Sequence, residues 1–147
     1  MSVEDTGAVD QPNTVMEKLE IRLPGEVDAI AAAADSISAK LRRLSIPEGK
    51  QMEIILAVQE ALANAVVHGC KNDASKEVRC CLEQYANGHI LIVVSDPGSG
   101  YEHGQLPNPH RADRIYHDHG RGVYLICQLM DDVSFGRNGS EIRMWKY

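Results

Sequence analysis

The sequence predicts an α+β fold, a two-layer sandwich with helices on one face of a mostly antiparallel mixed sheet. Three observations carry this reading. Short segments alternate polar and apolar residues, as EKLEIRL does over residues 17–23, and such alternation marks a half-buried strand. Other segments place apolar residues every three or four positions, the repeat of a helix with one buried face. Two Asn-Gly dipeptides, Asn87-Gly88 and Asn138-Gly139, separate apolar runs and suit tight hairpin turns, which make neighbouring strands antiparallel.

The elements follow in order. Residues 1–14 read as a flexible leader and residues 15–147 as a single domain. Pro24-Gly25 ends the first strand. Val27, Ile30, Ala34, Ile37, Leu41 and Leu44 form the apolar stripe of a helix that stops before Pro47. A second helix runs from Glu48 to His68. Alternation returns from Glu77 to Gln84, and the aliphatic run from His89 to Ser95 suits a central strand covered on both faces. Residues 97–120 hold Gly98, Gly100, Gly104, Pro107, Pro109 and Gly120 with hardly any apolar periodicity. A loop of that length inside a compact domain is usually functional. Arg121 to Asp131 is helical again, and Asp132 to Phe135 with Glu141 to Lys146 closes the chain as a hairpin. The order is β-α-α-β-β-loop-α-β-β, with helices segregated to one side of the sheet.

Composition narrows the function. At 147 residues and a net charge of −6, the chain has no wide basic face of the kind that displaces counterions from nucleic acid, so no direct nucleic-acid partner is expected. Cys70, Cys80, Cys81 and Cys127 make no C-x-x-C pair and read as reduced thiols of a cytoplasmic protein. The opening MSVEDTGAVDQPN is acidic and polar, without the features of a secretion signal. No apolar run is long enough to span a bilayer, so no membrane association is expected.

Three local patterns carry chemistry. In QEALANAVVHG, Glu60, Asn64 and His68 fall four apart and, with Glu53, form one polar stripe among aliphatic residues. Such a stripe also fits a solvated helix face. Here its neighbours are apolar or small, and a buried unpaired polar group costs roughly 1–3 kcal/mol, so a ligand or metal partner is expected. An amide oxygen can serve as a hard magnesium ligand beside phosphate oxygens and waters. Next, the strand VVS runs into Asp96-Pro97-Gly98-Ser99-Gly100. A carboxylate there can accept a hydrogen bond from an exocyclic amine, and glycines admit a ligand close to the backbone; alone, the pattern also fits a tight turn. Last, Gly120-Arg121-Gly122 opens an amphipathic helix, where free N–H groups and the positive helix end favour phosphate. Alone, that also fits a glycine-rich helix cap.

Together, in this order and spacing, the three patterns resemble the N, G1 and G2 boxes of the GHKL (Bergerat-fold) ATP-binding superfamily, shared by gyrase, histidine kinases and MutL. Within it the chain is most similar to the bacterial anti-sigma-factor serine/threonine kinases, through EALANAVVHG, GRGVYLICQLMDDV and GSEIRMWKY. The resemblance spans residues 15–147. It implies ATP and Mg²⁺ as cofactors, Glu60 as general base, Asn64 as magnesium ligand and Asp96 as the adenine-reading carboxylate. Gly98, Gly100, Gly120 and Gly122 would frame the nucleotide and its lid, with Arg121 a donor to phosphate. Ser140 stands where the family often has threonine near the adenine. Pro97 departs from the family's pattern, as do His103, His110, His117 and His119 in the lid. Those histidines fit a metal site or a solvated loop. Arg111, Arg114 and Arg121 are all candidates for the γ-phosphate.

The implied function is phosphorylation of an anti-sigma-factor antagonist by a kinase that also binds a sigma factor, in a bacterial partner-switching pathway. The resemblance further implies a homodimer. The rival reading is a nucleotide-binding regulatory module without kinase turnover, against which Glu60 counts, since such a module needs no base. A histidine-kinase catalytic half would need a helix pair carrying a phosphoacceptor, for which this length has no room.

Overall fold

A computed structural model of the chain describes residues 14–99 and 118–147, with only the backbone at 118–121. Among these, β1 (Val15–Pro24) leads through a short 3₁₀ turn at Val27–Ala29 into α1 (Ile30–Arg43). After Pro47 comes α2 (Glu48–Asn64), continued by a π-helical turn at Ala65–Gly69. The hairpin β2 (Glu77–Tyr85) and β3 (Ile90–Ser95) follows, then α3 (Asp118–Leu129) and the pair β4 (Asp132–Gly136) and β5 (Glu141–Lys146). The element order is the one expected. The five-stranded sheet has the order β1-β2-β3-β5-β4, and every described ladder is antiparallel rather than mixed.

The alternation in the strands is spent on two different faces. Val78, Cys80, Leu82, Ile90, Ile92, Val94 and Met144 point at the helices and join Ile37, Leu41, Ile54, Val58 and Leu62 in one buried core. The central strand is covered on its other face too. There Leu91, 1% exposed, pairs with Trp145, whose ring lies 5.2 Å from that of Tyr85. The β2–β3 turn has a left-handed residue only at Gly88 (φ 91°). Asn87 instead accepts a hydrogen bond from the His89 N–H at 3.0 Å through its side-chain oxygen. The β4–β5 turn places Arg137, Asn138 and Gly139 all at positive φ.

Two features of α2 depart from the expected regular helix. The winding widens after Asn64, where the Cys70 N–H donates to the Ala65 carbonyl at 2.8 Å across a π turn. The polar stripe is also split. Glu53 pairs at 2.7 Å with Lys146 Nζ, which donates to the Leu129 carbonyl at 2.6 Å. Lys146 is 8% exposed, so this one ammonium ties β5, α2 and the last turn of α3 together. All four cysteines are free thiols, and burial pushes Cys80 up to about 12.

Candidate active site

Helix α2 delivers Glu60 and Asn64, both half-buried, to the seam with α3. Gly122 of α3 closes on them from the other side. A Cβ at 122 would stand 2.9 Å from Glu60 Oε1 and 3.3 Å from Asn64 Nδ2. Because α3 begins at Asp118, ahead of the expected start at Arg121, Gly122 lies inside the helix rather than at its opening. Its described role is close approach to the two side chains. Gly120 falls in the first turn of α3, while the Arg121 side chain, Gly100 and the stretch holding His103, His110, Arg111, Arg114 and His117 lie outside the described residues, as does the His119 side chain.

Asn64 also lines a cavity of about 260 Å³, and Asp96, Gly98 and Ser140 line it with Asn64. Glu60 and Gly122 stand beside Asn64 and are not among the lining residues. Asp96 is fixed where β3 ends. Its backbone N–H donates to the Ser140 carbonyl at 2.9 Å, and its Oδ1 accepts from the Gly98 N–H at 2.7 Å. Burial raises the Asp96 carboxyl above the usual range, opposed by the Gly98 N–H and the Arg137 cation. Gly98 has no room for a side chain, since a Cβ would meet Asp96 Oδ1 and the Gly69 carbonyl, each at 2.8 Å. Ser140 is buried, and its hydroxyl donates to the Arg137 carbonyl at 2.9 Å. That leaves the hydroxyl oxygen free to accept. Ala61, Ala65, Val94, Phe135 and Ile142 supply apolar walls.

The cavity is thus of mixed character, with apolar side chains beside one carboxylate, Asp96, which suits a base bearing an exocyclic amine. The donor set fits magnesium as well. A hard cation that keeps its waters and binds phosphate oxygens needs only one or two protein oxygens, and the Asn64 amide oxygen can provide one. Among the described residues, no cluster of three or more His, Cys, Asp or Glu residues could hold a metal without phosphate.

Sequence reasoning missed several lining residues. Gly69 abuts Asp96 so tightly that any Cβ would overlap its carboxyl. Lys71 and Lys76 reach the cavity because the π turn is followed by left-handed residues at Lys71 and Asn72. Only the glycine in HG hinted at this. Phe135 and Ile142 arrive from the last hairpin, and no local spacing marks them.

The chain matches the histidine kinase-like ATPase domain over residues 23–146. A protein of Oceanobacillus iheyensis named serine-protein kinase RsbW is 26% identical over 136 residues, covering 88% of this chain and 85% of its own. Its namesake in Bacillus thuringiensis is 27% identical over 138 residues, covering 89% and 85%. Among solved structures, the RsbU and RsbW domains of a Mycobacterium tuberculosis protein superpose with TM-score 0.63 at 15% identity, over 89% of this chain and 32% of that one. The histidine kinase domain of a blue-light activated kinase from Erythrobacter litoralis gives TM-score 0.55 at 19% identity, over 83% and 59%. The glycines pressed against Glu60, Asn64 and Asp96 are thus set in a shared fold, and the chain belongs to the histidine kinase-like ATPase domain family.

Proposed function

We propose that this chain is an ATP-dependent serine/threonine protein kinase and anti-sigma factor, acting on an anti-sigma-factor antagonist in a partner-switching pathway. The observation that carries the reading is the meeting of Glu60, Asn64 and Gly122 beside a cavity lined by Asn64 and Asp96. Its relatives named serine-protein kinase RsbW support it.

In this reading Asp96 accepts a hydrogen bond from the adenine amine, and the apolar walls hold the ring. Magnesium, held by Asn64, would neutralise charge on the phosphates. Glu60 takes the proton of the incoming serine hydroxyl. The serine oxygen bonds to the γ-phosphorus as the bond to the departing ADP oxygen breaks, giving phosphoserine and ADP. Most of the acceleration comes from positioning and charge neutralisation. Gly100, Gly120 and Arg121 complete the nucleotide's surroundings. A sigma factor is the second partner, the working form is a homodimer, and the location is the cytoplasm, where ATP and RNA polymerase are found. Among the described residues, no helix is long and apolar enough to cross a membrane.

The test is incubation with ATP, magnesium and candidate antagonist proteins from the same genome, followed by mapping of the phosphorylated residue. Transfer to a single serine of one candidate supports the reading. ATP binding without transfer to any candidate would leave a regulatory module in its place.

A further inference from the structure

Glu60 stands in a setting that a nucleotide does not use. One turn before it on α2 is Leu56, 42% exposed, and two turns before it is Met52, 64% exposed. Two turns after it is Val67, 39% exposed. The facing helix adds another apolar residue. Gly122 lies against Glu60 and Asn64, while the Leu129 carbonyl shares the Lys146 ammonium with Glu53, so α3 runs antiparallel to α2. That direction sets Leu125, 41% exposed, across the seam from the turn holding Leu56 and Glu60. The exposed positions from Met52 to Val67 are Met52, Leu56, Gln59 and Val67, while the charged residues of that stretch, Glu53 and Glu60, are half-buried. Exposed apolar side chains among charges that are only partly exposed have the composition of an interface core, not of an ordinary solvated helix.

We propose that this ridge along the α2–α3 seam is the docking surface for the protein substrate, and that it selects a folded partner with apolar side chains around the phosphorylated serine. The inference rests on the kinase reading. Its occupant follows from Glu60. The carboxylate must reach a serine hydroxyl, so the surface around it has to be covered by whatever carries that hydroxyl during transfer. A second copy of this chain seated on the same ridge would cover the base and exclude the substrate.

The test uses the full chain with the protein it phosphorylates in the assay above. Leu56→Glu and Leu125→Glu each place a charge in the ridge at an exposed position. Leu56→Ser is the second variant should Leu56→Glu lose its cooperative melt. KM and kcat for the protein substrate, ATP affinity by calorimetry and solution mass by light scattering are measured together. The expected result is a KM for the protein raised by at least about tenfold, with ATP affinity and solution mass unchanged. An unchanged KM in a chain whose wild type transfers phosphate overturns the docking surface and leaves the kinase reading standing. A drop in solution mass also overturns it, making the ridge a contact between copies. Failure of the wild type to phosphorylate any candidate removes the kinase reading, and the docking surface falls with it.

Discussion

Gly122 approaches Glu60 so closely that a Cβ on it would lie 2.9 Å from Glu60 Oε1. The missing side chain is what allows the carboxylate and Asn64 to sit side by side at the helix seam. Gly122→Ala is expected to melt no lower than wild type, because alanine is favoured over glycine inside a helix by about 1 kcal/mol. Phosphoryl transfer should nevertheless fall by about 10²-fold, the scale of a misplaced catalytic group. Melting curves read beside transfer rates check this; equal rates would mean that Glu60 has room to move.

Glu60→Gln keeps size and helix propensity and removes the proposed base. ATP binding and partner binding should be retained while transfer drops by 10²–10⁴-fold, on the order of what a positioned general base contributes. Single-turnover phosphorylation of the antagonist is the measurement. Full-rate transfer would leave the protein a kinase with another base.

Asn64→Ala should weaken ATP binding strongly in magnesium and little in its absence. Calorimetry in both conditions decides. Equal losses would show that Asn64 contacts the nucleotide and not the ion.

In the proposed reading Asp96 binds adenine as a carboxylate, and burial raises its carboxyl above the ordinary value in the free protein. ATP affinity should therefore fall as pH drops, beginning above the ordinary aspartate value of 3.8. For folding of the free protein the sign is opposite. The folded chain holds this proton more tightly than the unfolded chain does, so the contribution is present below the ordinary value and is lost as pH rises through the raised one. Asp96→Asn should cost roughly 1.5–3 kcal/mol of ATP affinity and remove this pH dependence, as a calorimetric pH series would show.

Lys146→Met removes the ammonium shared by Glu53 and Leu129. Glu53 can turn to water, but the Leu129 carbonyl loses its buried donor, at a cost of about 1–3 kcal/mol. Urea denaturation should show that loss. A midpoint equal to wild type would mean that water replaces the lysine.

Much of the fold was legible because local rules agree with tertiary demands. The polar–apolar alternation of β1 and β2 and the aliphatic run of β3 each marked a strand, and Glu141–Lys146 is β5 to the residue. Glu60, Asn64, Asp96, Gly98 and Gly122 were marked by residue type and spacing and Ser140 by the family resemblance; the structure lines one cavity with Asn64, Asp96, Gly98 and Ser140 and sets Glu60 and Gly122 beside Asn64. What escaped depends on contacts distant in sequence. Periodicity treats Glu53 as one more member of the stripe, because Lys146 approaches it from the far end of the chain. The π turn rests on backbone bonds such as that from the Cys70 N–H to the Ala65 carbonyl, which side-chain spacing does not encode. Lys71 and Lys76 lie off every helical repeat, so only the turn that follows His68 brings them to the cavity.

The sheet order carries a consequence for how the chain reaches this state. The β2–β3 and β4–β5 pairs are local hairpins, closed by the loops around Gly88 and Gly139. Strand β1 is different. It pairs with β2 only after both α1 and α2 have been laid across the sheet, as Val15 meets Tyr85. Closing a loop of that size comes late, because its entropy must be overcome before any ladder bond forms. Folding is then expected to proceed from the hairpins outward, with the β1–β2 and β3–β5 ladders, both closed across helices, forming after them. The same order runs backwards on opening. Amide protons of the edge strand β1 are expected to exchange before those of the central strand β3.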